Sequence, residues 1–416
     1  EQTEGARLMR ILVTHPGRQH SHQLARALHE RNHLAGYWTG VPAADPATKG
    51  PLYKLLALLS PQPTLDLPGD VVRHNVMMPL ARRVAQAVAG PPRATDWRHR
   101  AAAWFDAWAA RRLPADLDAV ICYENGARET FRAAKKQGAT TILDAASFHH
   151  TWQDAFYAPV ESDAVHCRIN ARKDDEVELA DHILTVSELA RESYIDAGVL
   201  SEQVTSVPMG ADLSDFAPRD VTEVQSSDPF TFLFAGHASR RKGVDVLLSA
   251  SEHLKKTGNP HRVQFAGGRD DGLFKKTDAS LETLGYLDRT DLAAAFRRAD
   301  VLVLPSRHDS FGRVVVEAMA TGLPVLLSEH VGAKEVVTQG ETGWVVPAEN
   351  MDALANRMRW CIKHPEQVHA MRSACVEKAR DYSWGAYRER VTEVLASVDE
   401  GDSVPSAHNE KSATAK

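Results

Sequence analysis

The 416-residue chain has only 4 cysteines, Cys122, Cys167, Cys361 and Cys375, far apart and without a C-x-x-C pair. Neither a zinc framework nor a disulfide framework is expected, and a reducing compartment fits. No apolar run reaches the ~18 residues that a membrane span needs. A basic excess is also missing: 49 Lys+Arg against 55 Asp+Glu leave a formal net charge of -6. A partner gripped by its nucleic-acid backbone requires a basic face, so no nucleic-acid partner is expected and any anion site must be local. The opening residues EQTEGARL carry two acids and no apolar core, so they are not expected to act as a secretory leader. The expectation is a cytoplasmic protein, soluble or peripheral at the inner face of the membrane.

What is present is ordinary globular composition, 43% hydrophobic and 25% charged, in a chain too long for one core and suited to two α/β domains of roughly 200 residues. Apolar runs alternate with helical patterns at Met9–Thr14, Ala119–Tyr123, Thr140–Asp144, His182–Val186 and Val204–Val207. A second series follows at Phe230–Ala235, Arg262–Ala266, Val301–Leu304 and Pro324–Leu327, with helices expected near 243–257, 290–299 and 312–321. Such alternation predicts two parallel sheets covered by helices, hence two Rossmann-like domains with an interdomain cleft. The turn-rich PMGADLSDFAP (208–218) and the polar stretch after it place the boundary near 214–226. The expected organisation is a disordered segment 1–8, an N-terminal domain 9–215, a C-terminal domain 216–380, a helix 381–397 packing across the boundary, and a flexible tail 398–416. Residues 41–115 are the least legible. Within them Leu52–Leu59 (LYKLLALL) reads as a core helix, with contact to a membrane or a lipid-linked acceptor as the alternative.

The chemistry concentrates at two strand-to-helix junctions. In SRHDSFGRVVVEAMATG (306–322), Asp309 or Ser310 is placed to cap a helix. Phe311, Gly312 and Arg313 then present backbone N–H groups at its positive end, a site suited to a diphosphate or a sugar hydroxyl. Glu317 lies two turns into that helix, so Asp309 and Glu317 can reach two separated groups of an extended ligand. A helix cap plus a solvated glutamate explains the same spacing without a ligand. In GHASRRKG (236–243), Arg241 and Lys242 precede a helix whose dipole already disfavours cations, which implies an anion. Two exposed basic residues are the plainer alternative.

Several segments, in order, resemble the retaining family 4 glycosyltransferases of GT-B architecture. They are Ala180-Asp181-His182-Ile183 with Ser187, VPMGADLSDF (207–216), RRKGVDVLL (240–248), Ala266-Gly267-Gly268, LGYL (284–287), ADVLVLPSRHDSFGRVVVEAMATGLPV (299–325), Gly332 with Glu335, and GETGWVV (340–346). The resemblance covers nearly the whole chain. It implies that Asp309 and Glu317 occupy the two positions of the family's Glu-x7-Glu pattern, Asp309 on the donor sugar and Glu317 on the ribose. Arg241 and Lys242 would hold the diphosphate. Backbone amides of Phe311, Gly312, Arg313 and Val314, with Ser310 beside them, would serve sugar and phosphate, Tyr286 and Leu287 would lie near the base, and Gly17 and Gly236 would let backbone approach the donor. A nucleotide-diphosphate sugar, a UDP-sugar ahead of a GDP-sugar, would be the co-substrate, with no cofactor and no metal. The acceptor would be a glycan, a lipid-linked compound or a small molecule.

Three departures from the family stand out: Asp309 in place of the usual Glu, a single glycine in His15-Pro16-Gly17-Arg18-Gln19-His20, and Gly236-His237 where Gly-Arg is familiar. They keep open a catalytically weakened sugar-nucleotide-binding subunit, and a phosphorylase of the same architecture is a nearer rival. In the first domain, Asp144 ends a strand and His149-His150 follow it, so these three are acceptor candidates, His149 foremost and counted with the catalytic set. Backbone bonding within a loop explains the histidines equally well. His20 and His22 resemble metal-ligand spacing only superficially.

Overall fold

The structure, a computed structural model, describes residues 9–40, 67–75, 78, 91–156, 163–218, 229–270, 272 and 281–400. The segment 1–8, the Leu52–Leu59 stretch and the tail beyond residue 400 lie outside these. By contacts the chain divides into two units, Glu1–Thr185 with Ser193–Val207 and Arg388–Lys416, and Val186–Glu192 with Pro208–Tyr387.

The first unit is built on a seven-stranded sheet of order β3-β2-β1-β4-β5-β6-β7, with every neighbouring pair parallel. The strands are β1 (Ile11–His15), β2 (Leu34–Thr39), β3 (Val72–His74), β4 (Ala119–Tyr123), β5 (Thr140–Ala145), β6 (His182–Thr185) and β7 (Val204–Ser206). Helices intervene: α1 (Ser21–Glu30), α2 (Pro91–Ala110), α3 (Arg128–Lys136), α4 (His150–Phe156), α5 (Asp163–Leu179) and α6 (Glu188–Asp196). β1 is buried at all five positions, as a strand covered on both faces must be. That is why ILVTH reads as a continuous apolar run rather than an alternating one. Leu12, Phe105, Val120, Phe131 and Leu143 meet in the core between sheet and helices.

The second unit repeats the plan with a six-stranded sheet of order β10-β9-β8-β11-β12-β13, again parallel throughout. Its elements are β8 (Thr231–Ala235), α7 (Val244–Lys256), β9 (Arg262–Ala266), β10 (Leu281–Gly285), α8 (Arg289–Arg298), β11 (Val301–Leu304), α9 (Arg313–Ala320), β12 (Val325–Ser328) and β13 (Gly343–Val346), followed by α10 (Met351–Lys363), α11 (Pro365–Ala370), α12 (Arg372–Arg380) and α13 (Trp384–Glu400). The division between units falls inside α13, after Tyr387. Among the described residues no helix is long and apolar enough to cross a membrane.

β2, β3, β10 and β13 are additions to the strands read from sequence. β2 is LAGYWT, where Gly36 and two aromatics obscure the apolar run. β3 has 3 residues, too short to carry a periodicity.

Candidate functional site

In both units the loops that follow the parallel strands gather at the sheet's carboxyl edge, where open α/β sheets bind ligands. In the second unit these loops line a cavity of about 940 Å³. The loop after β8 brings Gly236, Arg241 and Lys242, and the loop after β11 brings Asp309, Ser310, Phe311 and Gly312. The start of α9 adds Arg313, Val314 and Glu317, and the loop after β10 adds Tyr286 and Leu287. Every residue of this unit assigned to the donor from sequence therefore reaches one cavity.

The two main loops are pressed together. A Cβ on Gly243 would lie 1.9 Å from the Pro305 carbonyl oxygen, and the residue has φ +66, so only glycine fits. Gly243 is also the N-cap of α7, and Gly312 (φ 88) that of α9, neither helix being capped by a side chain. This corrects the expectation that Asp309 or Ser310 caps α9. Asp309 is turned aside by an ion pair between its Oδ2 and Lys242 Nζ, and Ser310 uses its carbonyl to accept the Ser187 hydroxyl at 2.7 Å. The N–H groups of Arg313 and Val314, in the first turn of α9, have no intrahelical acceptor by helix geometry.

The anion implied beside Lys242 is thus supplied within the chain by Asp309. Arg241 donates through Nη1 to the His308 carbonyl at 2.8 Å, while its side chain lines the cavity. Glu317 is half-buried, and burial pushes its carboxyl above the usual range against the pull of Arg313 and Arg289. Phe311 is buried (2% exposed), whereas Tyr286 stands out at 91%. The 309–311 loop is held by Gly332 N–H to the Asp309 carbonyl (2.8 Å) and Ala333 N–H to the Phe311 carbonyl (2.7 Å). Glu335 accepts the Glu188 N–H at 2.8 Å, so Gly332 and Glu335 act as supports.

Two residues of the site went unassigned in the sequence. Arg307 bonds both carboxylate oxygens of Asp245 (2.7 and 2.9 Å), Glu349 (2.5 Å) and the Arg240 carbonyl (2.5 Å), which clamps the loop after β11 to the loop after β8. His308 is buried, and desolvation together with the Arg241 cation lowers its pKa to about 4, so it is neutral at pH 7. His237, standing where the family's Arg is familiar, pairs with Asp270 at 2.7 Å.

In the first unit the predicted residues separate into two groups. The Gly17 N–H donates to His15 Nδ1 at 2.7 Å, and its carbonyl accepts Thr39 at 2.5 Å. Asp144 Oδ1 lies 3.0 Å from His20 Nε2, both side chains almost fully buried. His149 instead meets Thr151 Oγ1 at 2.8 Å and its N–H donates to Ser193 at 3.0 Å, while His150 meets Asp174 at 2.6 Å. Burial and the neighbouring His150 lower the His149 pKa to about 4. Among the described residues His149, His150 and Asp174 could together hold a metal ion, their candidate ligand atoms lying within 4.8 Å of one another.

Two parallel Rossmann-like sheets, with a cavity at the carboxyl edge of the second, make this a GT-B fold. Solved structures agree over almost the whole length. Sucrose-phosphate synthase from Thermosynechococcus elongatus matches with TM-score 0.62 at 18% identity, over 95% of this chain and 100% of that one. HepE from Anabaena, crystallised with UDP, matches with TM-score 0.61 at 17% identity over 94% and 100%. In the second half, residues 219–381 match the family described as Glycosyl transferases group 1. A D-inositol 3-phosphate glycosyltransferase from Catenulispora acidiphila is 31% identical over 225 residues, 49% of this chain and 54% of the relative. A phosphatidyl-myo-inositol mannosyltransferase from Mycolicibacterium smegmatis is 28% identical over 221 residues, 52% and 57%. The chain spans about half the length of the curated relatives it matches.

Proposed function

We propose that the protein is a retaining, family 4 glycosyltransferase that moves a sugar from a nucleotide-diphosphate sugar to an acceptor hydroxyl. The observation that carries this reading is the convergence of Arg241, Lys242, Asp309, Glu317 and the amino end of α9 on one cavity. Its volume lies within the few hundred to ~1,000 Å³ of small-molecule sites. Arg241, Lys242 and the Arg313 and Val314 amides face the diphosphate, Asp309 the sugar hydroxyls, Glu317 the ribose, and Tyr286 and Leu287 the base. UDP is preferred to GDP, the UDP-bound HepE structure being of the same fold.

As the anomeric carbon–oxygen bond breaks, negative charge grows on the leaving diphosphate. It is met by Lys242, Arg241 and the helix end, which are already in position, and such preorganised electrostatics is the largest catalytic contribution in many enzymes. The acceptor oxygen then bonds to the same face of the anomeric carbon, its proton passing to the departing phosphate, with no resident metal. The named relatives act on inositol phosphate or phosphatidylinositol, which favours a polyol or lipid-linked acceptor. We place this work in the cytoplasm or at the inner membrane face. For the donor to enter, the Lys242–Asp309 pair must open, Lys242 turning to phosphate and Asp309 to sugar.

Lys242→Ala tests this. Turnover should fall by about two to three orders of magnitude with an unchanged circular dichroism spectrum, and near-normal turnover would remove Lys242 from the mechanism. Thermal shifts with UDP, GDP and ADP set against phosphate alone separate a glycosyltransferase from a phosphorylase, since a ligand that binds the folded state raises its melting temperature.

A further inference from the structure

A second cavity, of about 630 Å³, lies in the second unit and shares no lining residue with the donor cavity. Gln339, Gly340 and Glu341 of its lining precede β13, and Trp344 is the second residue of that strand. Because β13 runs parallel to β12, these residues stand at the amino edge of the sheet, opposite the edge that carries the donor loops. The facing wall comes from α10, with Met371 and Ala374 beside it. Asn350 caps α10, its Oδ1 accepting the Ala353 N–H at 2.9 Å, and the helix buries Leu354, Met358 and Cys361. Arg357 and Trp360 each stand one place before a buried residue and three apart, so they share the flank of α10 that borders the cavity.

The Arg357 guanidinium lies over both indoles, 5.3 Å from the ring centre of Trp344 and 5.4 Å from that of Trp360. The indoles meet edge-on at 5.3 Å, and His364 stacks on Trp360 at 4.7 Å. A guanidinium held over aromatic rings keeps its in-plane N–H groups, the fork that receives a carboxylate or a phosphate. Among the described residues that fork has no acceptor, and the indole N–H groups of Trp344 and Trp360 have none either. Arg289 and Arg307 of the same unit are both engaged by carboxylates. The single acid in the lining, Glu341, is exposed and does not pair with Arg357. Gln339 already uses its side-chain oxygen to accept the Val345 N–H at 3.0 Å, which leaves its amide to donate. Donors therefore outnumber acceptors in a pocket otherwise walled by indole, Met371 and Ala374. We infer that this cavity is a second ligand site, taking a small organic oxyanion, a carboxylate or a phosphate monoester carried on a flat apolar body. Arg357 grips the oxyanion through charge-assisted bonds, while the indole edges, Met371 and Ala374 cover the body. No donor-cavity residue takes part, so the site stands independently of the donor assignment.

The test is titration calorimetry of the full chain with phenyl phosphate and with benzoate, benzyl alcohol serving as the neutral control, in the presence and absence of excess UDP. At least one of the two anions should bind saturably, with or without UDP, and the one that binds identifies the oxyanion. Benzyl alcohol should bind about tenfold more weakly or worse. Arg357→Met should lose about a hundredfold in binding constant, and Arg357→Lys, which keeps the charge but not the fork, about tenfold. The UDP thermal shift and circular dichroism are recorded on each variant, so a failure of the donor reading or of folding is seen separately. If Arg357→Met does not fold, Arg357→Lys decides. Binding of neither anion, equal binding of benzyl alcohol, or an affinity unchanged in Arg357→Lys overturns the inference. So does binding that UDP abolishes, because the anion would then occupy the donor cavity.

Discussion

The amino ends of α3 in the first unit and of α9 in the second follow corresponding strands, β4 and β11, but are treated in opposite ways. At α3 the orphan backbone donors are filled by the protein's own carboxylates. Glu176 accepts N–H groups of Asn125 (2.6 Å), Ala127 (3.0 Å) and Arg128 (3.3 Å), and Asp106 accepts those of Glu129 (2.7 Å) and Thr130 (2.8 Å). Arg172 lies between the two acids. At α7 and α9 the N-cap is glycine without a side-chain cap, and the arginine–carboxylate network is displaced sideways onto Arg307, Asp245 and Glu349. A helix end satisfied from within cannot take a phosphate, whereas one braced from the side can. This contrast supports the proposed placement of the nucleotide in the second unit, for a reason independent of family likeness.

The comparison breaks most severely at Asp106, whose side chain is fully buried. Asp106→Ala would leave Arg172 short of a partner and two helix donors unsatisfied at once. We expect a loss of about 3–5 kcal/mol, read by urea denaturation, with the first unit unfolding. A loss below about 1 kcal/mol would mean that water replaces the carboxylate and that α3 is open in the same sense as α9. At Arg307 the expected loss is smaller, about 2 kcal/mol, because Asp245 and Glu349 are 33% and 53% exposed and regain water. Its larger effect should be functional. With the clamp gone, Arg241 and Lys242 lose their register against Asp309, and UDP affinity in Arg307→Ala should drop about tenfold, measured by calorimetry.

Legibility followed sequence distance. Runs such as VLVLP and TFLFA announce buried parallel strands, and the helices after them bring Asp309, Glu317, Arg241 and Lys242 within short reach of strand ends. The second-unit residues assigned to the donor from sequence therefore fall on one cavity. The sequence could not place interactions between distant segments: Arg307 meets Asp245 across 62 positions, and Arg172 meets Asp106 across 66. The misassigned cap has the same origin, since Asp309 is good N-cap chemistry locally and is drawn off by Lys242, 67 positions away. In the first unit Asp144 and the 149–150 pair looked alike from sequence, and only the fold gives the former to His20 and His150 to Asp174.

One histidine in each unit allows the comparison to be sharpened by pH. His149 and His308 are both lowered to about 4 from the ordinary 6.5, burial being the first cause in each. A base depressed in the folded state binds its proton first in the unfolded chain. Each histidine thus costs nothing above pH 6.5 and progressively destabilises the fold as pH falls from 6.5 to about 4. Glu176 runs the other way. Burial raises its carboxyl to about 7 against the pull of Arg172, so its penalty grows as pH rises from 4.5 to 7, and Glu124 and Glu317 are raised in the same direction. The wild-type profile mixes these opposing slopes, and the informative quantity is the difference between variant and wild type. His149→Gln and His308→Gln should each gain about 2 kcal/mol relative to wild type between pH 7 and pH 4, seen in melting temperature across that range. UDP bound at the second site should narrow the gain of His308→Gln only. Its ring lies beside Arg241, Lys242 and Asp309, and a diphosphate there would favour the protonated imidazole in the wild type, whereas His149 sits in the unit whose helix end is already filled.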